Sequence, residues 1–346
     1  MAKKKTVSKL PHQLGWGLIG ASDVARSRLI PAINSFPDSK VVAVYSRDSE
    51  RAKTYARENG ISKAYSELTE LLADPAVDVV YISTTNEKHR DEVIAAAHAG
   101  KHILCEKPLA LTLEDALAMK EACTQAGVIL GTNHHLRNSV THRVMRQLVL
   151  EGAIGRVLAA RVFHAVHLPK RLRGWRLKSV EAGGGVIFDI TVHDADVLHF
   201  VLGSQAEEVV ALAVSQGLGE GGLEDAVMGV IRFPGSVLAQ FHDAFTIKHG
   251  KTGLQIYGTE GALIGDEVMT QEPTGTVVLR REDKTEKVPL LDPEDLYRHQ
   301  VRHFTAAIRG TGTPFTTADD GIESLAVALA VHESVASGRA VRVRHS

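Results

Sequence analysis

From Leu14 to about His134 the chain repeats one pattern: a short β-branched run, a polar turn, then a stretch with helical periodicity. Leu14–Ile19 precedes a helix from about Asp23, Val41–Tyr45 one over Glu50–Asn59, and Val77–Ser83 one over Lys88–Ala99. His102–Cys105 precedes a helix over Leu113–Ala126, and Val128–Thr132 closes the series. Strand–helix units this short join parallel neighbours by right-handed crossovers, so the pattern predicts a parallel sheet with helices on both faces. Thr112, with Asp115 at the third helical position, reads as a capping box, and Gly127 stops that helix.

After Arg137 the texture changes. One helix around Val140–Glu151 is followed by longer alternating strands at Arg156–His164, Glu207–Ser215, Ala226–Phe233, Val237–Phe245, Leu254–Tyr257 and Val277–Arg281. Turns such as Pro234-Gly235 and Gly258–Gly261 join them, and helices over Pro293–Arg309 and Ala318–Ser337 close the chain. The expected fold class is α/β with two domains. Residues 13–136 form a Rossmann-type, doubly wound parallel sheet. Residues 137–346 form an α+β domain whose large, mostly antiparallel sheet is covered by helices on one face and open on the other. At 346 residues the chain is long enough for both cores. Residues 1–12, with four lysines before Leu10, read as a basic flexible lead-in without the hydrophobic region of a signal peptide.

Composition excludes several partners. A formal net charge of −1 gives no reason to expect nucleic acid or an anionic membrane. No apolar run approaches the length that spans a bilayer. Two cysteines, Cys105 and Cys123, both in apolar segments, cannot build a disulfide framework, so a cytoplasmic location is expected. The histidines, His134, His135, His164, His167, His193 and His242 among them, follow no zinc spacing, so no metal is expected.

Three stretches carry chemistry. The apolar run from His102 ends abruptly in Cys105-Glu106-Lys107-Pro108, which places Lys107 at the carboxyl end of a strand, the edge where open α/β sheets bind ligands. Pro108 disfavours helical backbone at Lys107 and so limits where its ammonium can point. Gly20-Ala21-Ser22-Asp23-Val24-Ala25 follows the first strand and opens the first helix, close to the G-x-G-x-x-(G/A) loop whose backbone approaches a pyrophosphate. Ser22 stands where the second glycine is usual, with its hydroxyl beside the phosphates. The second strand ends in Ser46-Arg47, with Arg51 a turn into the next helix. A hydroxyl and two guanidiniums suit a 2′-phosphate, so NADPH/NADP is expected over NAD. Finally, Gly183-Gly184-Gly185 precedes Asp189 and His193, which share one face if a helix starts at the glycines. A carboxylate beside an imidazole can hold it in place for acid/base work.

These features together resemble the Gfo/Idh/MocA family of sugar and cyclitol oxidoreductases. The resemblance rests on Gly20–Ala25, on Ala99-Gly100-Lys101 through Lys107-Pro108, and on Asp189 followed by His193, and it runs over nearly the whole chain beyond the lead-in. Ser83–Arg90, Gly131–Asn138, Ala160–Val166, Gly174–Leu177, Glu181–Asp196, Ala239–Phe245, Gly258–Gly261 and Val268–Gln271 match members that reduce a keto-sugar, 1,5-anhydro-D-fructose, to 1,5-anhydro-D-mannitol. By that resemblance Lys107 polarises the substrate carbonyl, and His193, oriented by Asp189, is the general acid. It further implies that Gly20, Ala21, Ser22, Asp23, Val24, Ser46, Arg47, Arg51, Thr84, Thr85, Asn86, His89, Glu106, Lys107, Asn133, Trp175, Arg176 and Tyr297 contact NADPH. His164, Trp175, Arg176, Asp189 and His193 would face the sugar. The chain would act as a monomer or as a homo-oligomer through its C-terminal sheet. Two other readings stay open: an NAD(P)-dependent dehydrogenase of another pyranose or an inositol, and a regulator that binds a dinucleotide without turning it over.

Overall fold

The first sheet orders itself around Leu14–Ile19 (β1), whose side chains are all buried. A computed structural model describes residues 13–282, 284–291 and 294–345. The basic lead-in 1–12 and the helix start expected at Pro293 lie outside the described residues. Ser39–Tyr45 (β2), Lys63–Tyr65 (β3), Val79–Ile82 (β4), His102–Cys105 (β5) and Leu130–Thr132 (β6) complete an all-parallel sheet in the order β3-β2-β1-β4-β5-β6. Chain direction along the sheet reverses at β1, between β2 and β4, which is the switch point where such sheets bind ligands. The helices are α1 (Ile30–Asn34), α2 (Ser49–Glu58), α3 (Leu68–Ala73), α4 (His89–His98) and α5 (Leu113–Ala126). Alternate side chains of β1 sort to two cores: Leu14, Trp16 and Leu18 join α1 and the second half of the chain, while Ile19 joins α3, α4 and α5. Asp48 caps α2 through the Arg51 amide, and Thr112 caps α5 through that of Asp115. Gly127 ends α5 in left-handed backbone at φ 70°.

Val140–Leu150 (α6) leads into a mixed sheet of Val157–Ala165 (β7), Glu208–Val214 (β8), Ala226–Phe233 (β9), Val237–Ala244 (β10), Gly253–Gly258 (β11), Ala262–Asp266 (β12), Thr276–Arg281 (β13), Lys284–Lys287 (β14) and Val341–Arg342 (β15). Its order is β14-β13-β12-β11-β7-β10-β9-β8-β15, and every pairing is antiparallel except β10 on β7. The face bearing Val162, Ala211, Ile231, Phe241 and Ile256 packs into the core with Val192–Leu202 (α7), Leu296–Ile308 (α8) and Ala318–Ser337 (α9). The opposite face leaves Leu212, Val214, Met228 and Leu238 exposed. The helix α9 packs on both sheets, touching α5 and β6 on one side and β8 on the other.

One local departure shapes the site. The glycine-rich stretch does not open an ordinary α-helix over Asp189 and His193. Ile187–Thr191 forms a π-helical turn, and α7 starts only at Val192. A π-turn carries more than 3.6 residues per turn, so the spacing rule of an ordinary α-helix does not carry across it.

Candidate active site

The carboxyl ends of β1, β2, β4 and β5 open into one cleft of about 910 Å³, closed on its far side by residues 164–176, 189–193 and 270–271. Gly20 holds φ +102°, and a Cβ there would press to 3.2 Å on the Ser83 backbone. Only glycine fits that turn, so the loop backbone lies open to the cleft, as a cradle for a pyrophosphate requires. Ser22 is already engaged: its Oγ sits 2.7 Å from Ser83 Oγ and accepts from the Ala25 amide at 3.1 Å. It therefore ties the loop to β4 and starts the helix, in addition to lining the wall. Asp23 and Val24 also line the wall, with Asp23 paired to Arg26 and Arg171.

Past β2, Ser46, Arg47, Asp48 and Arg51 edge the same cleft. Arg51 donates to the Ala21 carbonyl at 2.8 Å, linking the glycine loop to the helix after β2. Asp48 is committed as the cap of α2, accepting from the Arg51 amide at 3.0 Å. Thr84, Thr85 and Asn86 follow β4 on the wall, where Thr84 donates to Glu92 at 2.5 Å. Burial pushes the Glu92 carboxyl up to about 7.

Glu106 and Lys107 follow β5, and the Lys107–Pro108 peptide is cis. Glu106 accepts from Tyr81 and, at 2.5 Å, from Asn133. Lys107 Nζ donates to the Asp189 carbonyl at 2.6 Å and to Asp189 Oδ1 at 2.9 Å. Arg176 Nε donates to the other oxygen, Oδ2, at 3.1 Å. Burial alone would push the Asp189 carboxyl up, but Arg176 and Lys107 outweigh it and hold it well below the usual range. Against the pairing expected from spacing, the Asp189 carboxylate accepts from Lys107 and Arg176, and no hydrogen bond joins it to His193 among the described residues. Asp189 lies in the π-turn, and its carboxylate is taken by Lys107 after β5 and by Arg176.

His193 lines the cleft with its Nδ1 buried and without a partner. Burial, then the Lys107 charge, holds its ring well below the usual histidine range. His135 stands against it with ring centroids 4.7 Å apart and stacks on Tyr297 at 5.1 Å. His164 also faces the cleft and donates or accepts at Nδ1 to Asp194 Oδ1, 2.7 Å away. Trp175 and Arg176 form part of the opposite wall, the guanidinium 4.7 Å over the indole.

Three residues expected to contact the cofactor do not reach this wall. His89 is fully buried with Nδ1 3.0 Å from the Pro108 carbonyl, Asn133 is spent on Glu106, and Tyr297 lies behind His135. They support wall residues instead of forming the wall. Conversely, sequence reasoning passed over His135 on the cleft wall, and Asp194 and Asp243 behind His164. A signal existed for Asp243: strand alternation places it on the buried face between Phe241 and Phe245. A carboxylate there needs a partner or a proton. Among the described residues, no group of three His, Cys, Asp or Glu is arranged to hold a metal ion.

Comparisons with known proteins agree with this architecture. Residues 14–134 match the family model described as oxidoreductase family, NAD-binding Rossmann fold, and residues 142–264 match the GFO/IDH/MocA C-terminal domain. A 1,5-anhydro-D-fructose reductase of Ensifer adhaerens is 55% identical over 95% of this chain and 98% of its own length. Among solved structures, aldose-aldose oxidoreductase from Caulobacter crescentus complexed with glycerol superposes with a TM-score of 0.87 at 26% identity, covering 95% of this chain and 99% of its own. Levoglucosan dehydrogenase in complex with NADH and levoglucosan gives 0.84 at 26% identity, over 96% of this chain and 100% of its own.

Proposed function

The chain belongs to the Gfo/Idh/MocA family of oxidoreductases, and from that premise we propose that it reduces 1,5-anhydro-D-fructose to 1,5-anhydro-D-mannitol with NADPH. The reading assigns residues 13–136 to the cofactor and 137–346 to the sugar. One observation carries it: an ammonium, Lys107, is held by a carboxylate, Asp189, where the first sheet's binding edge meets the second half of the chain.

The residues present fit a dinucleotide: Gly20 keeps the loop backbone clear, and Ser46, Arg47 and Arg51 gather at the end where a 2′-phosphate would lie. When bound, the reduced nicotinamide supplies a hydride. As the carbonyl carbon gains that hydride, the π electrons move to its oxygen, and Lys107 stands as a fixed cation for the developing charge. Asp189 and Arg176 restrain the ammonium, so little reorganisation is needed at the moment of reaction. Arg176 over Trp175 makes a rigid wall that orients the ring of the sugar. His193, protonated once the ketone is bound, gives that proton to the alkoxide and returns to the neutral ring. A second reading is favoured by the lowered affinity of the ring for a proton and by its unpartnered Nδ1: His193 donates only a hydrogen bond from Nε2, and the Lys107 ammonium supplies the proton. His193→Asn separates the two, since asparagine can donate but cannot act as the acid. Turnover slowed by roughly two to four orders of magnitude, the usual worth of a positioned acid, keeps His193 as the proton source. A loss of roughly tenfold or less assigns that proton to Lys107.

We further place the protein in the cytoplasm, acting as a monomer or as a homo-oligomer through the exposed Leu212, Met228 and Leu238 face. No described helix is long and apolar enough to cross a membrane. The test of the main reading is an initial-rate assay of NADPH and NADH against 1,5-anhydro-D-fructose, other keto-sugars and osones. Fast turnover of anhydrofructose with NADPH is the expected result. Turnover only of a polyol with NAD would replace the substrate and cofactor while keeping the family, and cofactor binding without turnover would make the protein a sensor.

A further inference from the structure

Behind His164 lies a polar cluster that the mechanism above does not use. Asp194, near the start of α7, and Asp243, on β10, are both fully buried, and Asp243 is the register partner of His164 across the parallel β10–β7 pair. Each carboxyl has one oxygen accounted for. Asp194 Oδ1 meets His164 Nδ1 at 2.7 Å, and Asp243 Oδ2 accepts from Thr191 Oγ1 at 2.6 Å. The other two oxygens, Asp194 Oδ2 and Asp243 Oδ1, have no donor among the described residues, and the two carboxyls act directly on each other. Two carboxylates cannot both be ionised side by side in such a place, and a single proton between them satisfies both orphan oxygens at once. Burial pushes Asp194 up to about 7 and Asp243 well above the carboxylate range, in keeping with one shared proton.

We infer that Asp194 and Asp243 form a proton-sharing pair that locks the proton of His164 on Nδ1, so that Nε2 meets the sugar as a hydrogen-bond acceptor. The inference rests on the sugar-reductase reading for its substrate and deepens it. With Asp194 Oδ1 able only to accept while the shared proton sits on Oδ2, the His164 proton must lie on Nδ1. A neutral ring then has a bare Nε2 towards the cleft. The two histidines of the site thus divide their work: His193 is a donor to the reacting oxygen, and His164 accepts a hydrogen bond from a hydroxyl elsewhere on the sugar. Substrates that lack a hydroxyl there leave a buried acceptor unpaired. The groups facing His164 are Asp194 and Asp243 behind it, Lys107, Asp189 and His193 across the cleft, and His135 and His142 nearby.

The pair predicts effects of opposite sign from two near-isosteric changes. In Asp243→Asn the amide can donate to Asp194 and still accept from Thr191, while the whole negative charge moves onto Asp194 beside His164. In Asp194→Asn the amide oxygen can accept from His164, and the charge moves onto Asp243, which pairs with His164 across the strands but is not hydrogen-bonded to its ring. Nitrogen-15 NMR of the histidine side chains in the full-length protein, without substrate, reads both the His164 tautomer and its titration. Expected is the Nδ1–H tautomer in the wild type, with His164 titrating higher in Asp243→Asn and lower in Asp194→Asn. The acid limb of kcat/KM moves in the same two directions, because protonation of Nε2 removes the acceptor. Deoxy and fluoro analogues of the sugar at the recognised position both lose kcat/KM on the order of 10- to 100-fold, since neither can donate. An Nε2–H tautomer in the wild type, or shifts of the same sign in the two variants, would overturn the inference. Because the tautomer is read without turnover, failure of the substrate assignment leaves this test standing.

Discussion

At the β2 end of the cleft Ser46 is half-buried and Arg47, Asp48 and Arg51 are exposed. At the other end the side chain of Lys107 is 9% exposed, and Asp189, His193, His164 and Asp194 crowd around it with little access to water. Both ends are dense in ionisable groups, yet their charges work on different scales. An exposed guanidinium interacts through a high dielectric and is screened by salt, so each one adds a modest increment. A buried ammonium, carboxylate or imidazole interacts through a medium that screens poorly, so each is coupled to every neighbour and removing one leaves another uncompensated. The cofactor end should therefore respond to change gradually, and the substrate end abruptly.

The sharpest attempt to break that contrast is Lys107→Ala. It removes the cation at the developing alkoxide and leaves Asp189 Oδ1 without its donor. We expect turnover to slow by roughly two to four orders of magnitude, while NADPH binding followed by fluorescence titration changes little. Lys107→Arg should rescue poorly, since a planar fork cannot place a point charge between the Asp189 carbonyl and carboxylate. A variant that loses NADPH affinity as steeply as kcat would show the two ends to be one coupled unit.

How legible each end was in the sequence follows the same division. The Gly20–Ala25 loop and the Glu106-Lys107-Pro108 step are contiguous, and local steric rules suffice to place them. Strands β1 and β5 and helices α5 and α9 run over the expected residues, because long apolar periodicity or a cap marks both ends. Strands β3, with no buried residue, and β14, fully exposed, carry no alternation to read, and so they escaped notice along with the short helix α3. The substrate end is assembled from β5, β7, α7 and β10, which lie far apart in the chain. No spacing rule brings Asp243 beside Asp194. The spacing argument for Asp189 and His193 assumes one α-helix from the glycines, whereas the backbone makes a π-turn at Ile187–Thr191 and α7 starts at Val192.

The buried histidines extend the contrast to stability. Burial holds His142 at about 4, with its Nδ1 on the Leu136 carbonyl and its Nε2 without a partner. Its folded-state value lies below the usual 6.5, so its contribution is fully present above that pH and is lost as pH falls towards 4. His135 and His164, at about 3 and 4, act with the same sign. Asp194 and Asp196, raised to about 7, act with the opposite sign: their contribution is present at low pH and fades as pH rises through 7. Denaturant unfolding at pH 7 and pH 5 should show a net loss at the lower pH. His142→Asn, outside the cleft, should shrink that loss by on the order of 2 kcal/mol. An unchanged pH slope in the variant would mean that His142 is hydrated in the folded protein.

The smallest effect belongs to the exposed end, and it decides whether the graded response is real. Ser46→Asp puts a carboxylate where the ribose of the adenosine half would lie. It would bind a 2′-hydroxyl and repel a 2′-phosphate. Arg47 and Arg51 remain, and Asp48 stays committed to capping α2, so the change adds to the cofactor end without dismantling it. We expect the preference for NADPH over NADH, read as the ratio of their kcat/KM values, to fall about tenfold, roughly 1.4 kcal/mol, with the loss entering through KM for NADPH. Salt should attenuate the effect, because both the new charge and its phosphate partner face solvent. A ratio that stays put would count against the placement of the 2′-phosphate beside β2. A collapse of turnover with both cofactors would mean instead that the exposed end is as tightly coupled to the reacting centre as the buried groups are to one another.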